Sequence, residues 1–281
     1  MKLTMHCTGT CKQLEILSLR GGKWRSVAFP GLFAMLEHLS EGLILFDTGY
    51  SPRFAEATRR LPYALYRWTT PVETGGHLTA AEHVRAAGYA PEDVTAVIIS
   101  HFHADHICGL ADFPNAKFIC SKAGYDSVAS LKGLAAVKRA VLPDLIPPDF
   151  ETRANWVEQC QEAALPAACR PFERGWDLFG DGSVTAVDLS GHAAHQIGVF
   201  LRGTDGNPVL LGADASWSAQ AVRENRLPSP PAFILFDGRR DYKRTFGNLV
   251  ELHRRQPEMR LLFTHCAEAW ELCGKEGIEL L

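Results

Sequence analysis

A four-layer α/β/β/α sandwich, with mixed sheets packed face to face and helices outside, is the α/β architecture this sequence predicts. Three observations predict it. Short apolar runs followed by helical patterns occur early in the chain and again later. Ligand-type polar residues stand at strand ends in both halves, where α/β proteins place their chemistry. No flexible linker interrupts the 281 residues, so residues 1–281 are expected to form one domain.

The elements follow in order. "LEILSL" (Leu14 to Leu19), "LFAMLEHL" (Leu32 to Leu39) and "LILFDTG" (Leu43 to Gly49) are short apolar runs with breaks between them and are expected to be strands. "TAAEHVRAAGY" predicts a helix, with Thr79 as N-cap, Glu82 three residues on and Gly88 near its end. "VTAVIIS" (Val94 to Ser100) and "AKFICS" (Ala116 to Ser121) are buried strands. The stretch 129–169 is Pro-punctuated and partly amphipathic, as in "ETRANWVEQCQEAAL", which predicts a helical insertion serving as a lid or an interface. "SVTAVDLSG", "QIGVFLRG" and "NPVLLGAD" are further strands, with a turn at Asp205-Gly206-Asn207. "RTFGNLVELHRR" is a helix, and "MRLLFTH" a last strand ending in His265.

Bulk composition excludes several classes. With 46% apolar and 22% charged residues the chain can build an ordinary globular core. A formal net charge of −3 gives no reason to expect a nucleic-acid partner. The basic cluster Arg239, Arg240, Lys243 and Arg244 is expected to be a solvated helix face. No apolar run reaches the ~18 residues of a membrane span, so no membrane partner is expected. The start, "MKLTMHCTGTCKQ", shows no apolar signal region, and the eight cysteines are scattered without a CxxC pair. Free thiols and a cytoplasmic location are expected. Cys108 and Cys266 are expected to be small core residues.

The chemistry starts at "SHFHADHICGL". His101, His103, Asp105 and His106 crowd into six positions. Protonated histidines would repel one another, and an unpaired carboxylate is costly to desolvate. A cation at the centre removes both difficulties. On extended backbone His-x-His puts two imidazoles on one side, so one metal can take both. Asp105 and His106 must then aim elsewhere, which invites a second ion roughly 3.5–4 Å away. Further ligand types end apolar strands downstream: His192 after "DLSG", Asp214 after "VLLGA" and His265 after "RLLFT".

Five stretches carry a resemblance. "FDTG" (Phe46 to Gly49), "HFHADH", "SGHAAHQIG" (Ser190 to Gly198), "GADAS" (Gly212 to Ser216) and "FTHC" (Phe263 to Cys266) resemble, in order, the motifs of the metallo-β-lactamase fold superfamily. The resemblance implies His101, His103 and His192 on one metal, and Asp105, His106 and His265 on another, with Asp214 bridging. It implies Asp47 as the residue that orients ligand histidines from behind. His195 is expected to be a buried structural histidine. His6, His38, His77, His83 and His253 have no motif context and carry no assigned role.

The seven donors are nitrogen and oxygen, which suits two divalent ions, Zn²⁺ first, with Mn²⁺ or Fe²⁺ tolerated. An incompletely filled site points to catalysis rather than structure. The expected enzyme is a dinuclear metal-dependent hydrolase in which a metal-bridging hydroxide attacks a lactone or carboxylic ester. Asp105 would pass the proton to the leaving group, and Asp214 would hold the pair of ions. A thioesterase or phosphodiesterase is the alternative on the same site.

The bridging aspartate disfavours a β-lactamase proper, the short stretch after His265 disfavours a glyoxalase II, and the charge disfavours an RNase Z. The pattern is most similar to the N-acyl homoserine lactonase group. That group has a tyrosine three residues after the bridge; this chain has Trp217. Tyr63, Tyr66, Trp68, Trp156 and Trp217 are candidates for an apolar pocket taking an acyl or aromatic small molecule. Arg239 and Arg240 are candidates for an anionic substrate group. A monomer or homodimer is expected.

Overall fold

The computed structural model describes residues 1–203, 208–273 and 278–280. The turn expected at Asp205-Gly206-Asn207 lies outside the described residues. Two sheets carry the fold. The first runs, in spatial order, Ile278–Glu279, Lys2–Leu14, Ser26–His38, Gly42–Phe46, Val94–Ile98, Lys117–Cys120 and Ala154–Trp156, with Val72–Glu73 also on Lys2–Leu14. The second runs Leu261–Phe263, Val209–Ala213, Ile197–Leu201, Val184–Asp188, Arg174–Asp177 and Gln161–Ala164. Both are mixed: Gly42–Phe46, Val94–Ile98 and Lys117–Cys120 pair in parallel, as do Val209–Ala213 and Leu261–Phe263.

Strand alternation builds the layers. Leu32, Ala34, Leu36, Ile44, Phe46, Ala96 and Ile98 face the second sheet's Ala186, Val199 and Leu211 in one core. Phe33, Met35, Leu43, Leu45, Val97 and Ile99 point the other way, onto a second cluster with Ala80, Ala81, Val84 and Phe54. Both faces of the central strands are therefore buried, which is why they read as continuous apolar runs. Tyr242, Phe246, Leu249 and Leu252 form the buried stripe of the long helix Arg239–Arg255, which joins the first core from outside. The four-layer expectation is met.

The helix expected near Thr79 is present as Ala80–Ala86, and its capping box forms: Glu82 N–H donates to Thr79 Oγ1, and Thr79 N–H donates to the Glu82 carboxylate. Three local expectations need correction. "LEILSL" is not a strand: Leu14 ends the strand Lys2–Leu14, and Glu15–Ser18 is one helical turn. The Glu15 carboxylate takes Lys23 N–H and the Arg25 guanidinium, which folds the chain back at that point. The strand Lys2–Leu14 itself was not anticipated, although Leu3, Met5 and Cys7 alternate inward.

The 129–169 stretch is helical only in part. It holds the short helices Gly133–Lys138 and Phe150–Arg153. "ETRANWVEQCQEAAL" instead gives edge strands to both sheets, Ala154–Trp156 beside Lys117–Cys120 and Gln161–Ala164 beside Arg174–Asp177. Free sheet edges outcompete a weak amphipathic pattern there. Among the described residues, no helix is long and apolar enough to cross a membrane.

Candidate metal centre

The parallel strands Gly42–Phe46 and Val94–Ile98 end at one edge, delivering Asp47 and the loop from Ser100. In the second sheet, Val209–Ala213 and Leu261–Phe263 deliver Asp214 and His265, and Val184–Asp188 leads to His192. The seven sequence-predicted residues converge from these ends, and all are buried. His101, His103 and His192 offer donor atoms within 4.8 Å of one another. Asp105, His106 and His265 form a second such set, and Asp214 joins His101 and His106 in a third.

The pairwise distances have the scale of a coordination polyhedron. With metal–nitrogen bonds of about 2.0–2.1 Å, tetrahedral edges measure about 3.3 Å. His192 Nε2 lies 3.1 Å from His103 Nδ1 and 3.2 Å from Asp214 Oδ2. His265 Nε2 lies 3.2 Å from both Asp105 Oδ2 and Asp214 Oδ2. His106 Nε2 is 3.5 Å from Asp214 Oδ1. His101 Nε2, His106 Nε2 and Asp214 Oδ1 are buried without hydrogen-bond partners. Such atoms are costly unless something meets them. The donor set therefore fits divalent cations.

Groups behind the donors fix their tautomers. Asp47 Oδ2 accepts from His106 Nδ1 at 2.7 Å and from Ser100 Oγ at 2.7 Å, and Asp47 Oδ1 accepts from Ser100 N–H at 2.8 Å. Ser100 Oγ, already donating to Asp47, accepts from His101 Nδ1 at 3.0 Å. His265 Nδ1 donates to the Pro30 carbonyl at 2.8 Å. Each of these leaves Nε2 for the centre. Ser100 and Pro30 were not singled out in the sequence; a serine beside the ligand loop is a weak signal, and a backbone carbonyl gives none.

The charges are complementary before any ion enters. Burial, reinforced by the neighbouring histidines, pushes His101 well below the ordinary imidazole value. Burial likewise takes His192 down to about 3, with Asp214 opposing. Burial works against protonation of His106 too, yet Asp47, Asp105 and Asp214 outweigh it and raise His106 to about 9. Asp105, pushed up by burial, is brought down to about 2 by His106 and His265.

A family model described as the metallo-beta-lactamase superfamily matches residues 33–265. The chain belongs to the metallo-β-lactamase superfamily. Its relatives include N-acyl homoserine lactonase AttM of Azorhizobium caulinodans, 30% identical over 229 residues that cover 81% of either chain. AttM of Rhizobium johnstonii is 26% identical, again over 81% of each. The alignment to AttM of Rhizobium radiobacter covers only 52% of this chain and 51% of that protein, about half of each. Among solved structures, an N-acyl homoserine lactone hydrolase with N-hexanoyl-L-homoserine at its catalytic metal centre matches with a TM-score of 0.73 and 18% identity, over 99% of this chain and 98% of that one. That likeness is one of fold. As a superfamily member with these relatives, the chain is a metallo-hydrolase.

Over the centre of this metallo-hydrolase lies a cavity of about 390 Å³, reached by His103, Asp105, His192, Asp214 and His265. Tyr66 and Trp217 line it. Trp217 Nε1–H donates to Asp214 Oδ2 at 3.3 Å. Trp156 does not line it; it packs on Tyr125 beneath Lys122. Trp68 is 63% exposed, and the Tyr63 phenol accepts from Gly133 N–H. Arg239 and Arg240 also lie off the cavity, Arg239 stacking over Phe233. Cys11, Phe29, Tyr50, Val137, Ile234 and Leu235 are wall residues without a sequence signal.

Cys108 and Cys266 are buried, as expected, and stand outside the donor groups. His195 is a correction. It is exposed and in the left-handed region at φ 54°, because the loop after His192 turns outward there.

Proposed function

We propose that the chain hydrolyses a lactone or carboxylic ester with two divalent ions, Zn²⁺ first, held by His101, His103 and His192 on one side and Asp105, His106 and His265 on the other. The observation that carries this reading is the placement of Asp214. One of its oxygens faces His106, and the other faces His192 and His265, so a single carboxylate touches both donor sets. When bound, a pair of divalent ions supplies a hydroxide at neutral pH and polarises the carbonyl under attack.

The protein's own part is positional. Asp47, Ser100 and Pro30 hold imidazole rings in register through fixed tautomers. Asp105, next to the cavity, is placed to take a proton and hand it to the leaving oxygen. Apolar walls from Phe29, Val137, Ile234 and Leu235 suit an acyl chain and exclude water. The lactonase names of the AttM relatives support the same bond class.

The test pairs metal analysis with a substrate panel of acyl lactones, p-nitrophenyl esters, acyl thioesters and bis-p-nitrophenyl phosphate. About two metal equivalents per chain and preference for lactones or oxygen esters are expected. One equivalent, or turnover confined to the phosphodiester, refutes the reading.

A further inference from the structure

The wall of the 390 Å³ cavity is largely apolar, so its few free polar atoms decide how a bound molecule is oriented. The Trp217 indole, standing where the resemblance leads one to expect a phenol, has turned its N–H to Asp214. Of the other cavity hydroxyls, two are occupied within their own helices and that of Thr70 belongs to a half-buried residue. Thr69 Oγ1 donates to the carbonyls of Leu65 and Tyr66, and Ser18 Oγ to that of Glu15. Tyr50 engages Cys11.

Tyr66 differs from all of these. It is 8% exposed and lines the same cavity as Asp105 and Asp214. Its phenol has no hydrogen-bond partner among the described residues and is not sealed from the cavity. A nearly buried hydroxyl of this kind is destabilising until a bound group meets it. Its ring is held edge-on to Phe54 at 5.3 Å, and Phe54 in turn to Tyr50 at 5.6 Å, so the oxygen is presented from a packed helix, Ala64–Thr69, rather than a loose loop.

We propose that the Tyr66 phenol donates a hydrogen bond to the carbonyl oxygen of the bound lactone or ester as negative charge develops on it, the task the Trp217 indole is turned away from. This rests on the hydrolase reading above. It makes Tyr66 a catalytic residue of this chain, contributed by a helix far in sequence from the signature loop.

Tyr66→Phe removes one oxygen and keeps the ring on Phe54. In metal-loaded protein we expect kcat to fall by about 100-fold, the low end of the range for losing one donor to a developing oxyanion, with KM changing less than about threefold. Acyl lactones and p-nitrophenyl esters should lose equally, because the carbonyl is common to both. Metal content should match the wild type, and the melting temperature should equal or exceed it, since an unpartnered buried hydroxyl is lost. An unchanged kcat, a rise in KM alone, or a loss that tracks metal content overturns the assignment while wild-type turnover leaves the hydrolase reading standing. A wild type inactive on every lactone and ester removes both.

Discussion

His106 Nδ1 lies 2.7 Å from Asp47 Oδ2, and neither side chain has any exposure. The pair ties the first sheet's strand end to the ligand loop and decides which imidazole nitrogen faces the centre. Asp47 sits at φ 62°, a conformation Asn also tolerates. Asp47→Asn should therefore fold but present an amide N–H to His106 Nδ1, driving the proton to Nε2. Metal affinity should drop by about 10- to 100-fold, measured by competition with a chromophoric chelator. Unchanged affinity would mean that His106 is not oriented by this bond.

Asp214 is in contact with donors from both sets, so its loss should be felt twice. Asp214→Ala should retain no more than about one metal equivalent per chain and lose at least about 10³-fold in kcat, by analogy with removal of a metal clamp. Elemental analysis alongside turnover checks this. Two equivalents retained with wild-type turnover would assign Asp214 a merely structural place.

The donors were legible because each ends an apolar strand, and strand ends in parallel sheets share an edge; "HFHADH", Asp214 and His265 announce themselves this way. The cavity was not. Cys11 and Phe29 come from the first two strands and Ile234 from the turn Pro230–Leu235, and only tertiary proximity joins them. The strand Lys2–Leu14 was missed because its Thr, His and Gly positions dilute the alternation of Leu3, Met5 and Cys7. His195 misled for a related reason: sequence closeness to His192 says nothing about which way a left-handed residue sends the chain.

Gly191 precedes His192 and adopts φ 138°, and a Cβ there would fall on the backbone N and Cα of Tyr242. Backbone cannot give way as a side chain can, so Gly191→Ala must part the His192 loop from the helix Arg239–Arg255. Overpacking of this kind costs about 1–3 kcal/mol, or roughly 2–5 °C of melting temperature in a chain this size. Because His192 moves with the loop, metal affinity should fall as well. Differential scanning calorimetry and chelator competition read the two effects. A variant equal to wild type in both would show that the loop tolerates the parting.

Far from the centre, His6 on the first strand stacks on His83 at 4.6 Å and lies 5.4 Å from Phe33. Burial, and then His83, lower its pKa to about 4. The folded protein thus refuses a proton that the unfolded chain accepts near the ordinary imidazole value of about 6.5. The sign follows: the unfolded state binds more protons between those values, so stability is full above pH 6.5 and falls as pH drops towards 4. His6→Phe keeps an aromatic ring against Phe33 and His83 but cannot titrate. Its stability should change less than that of wild type between pH 6.5 and 4, by on the order of 2 kcal/mol, in urea unfolding at a series of pH values. Parallel curves over that interval would place the acid sensitivity of this fold elsewhere.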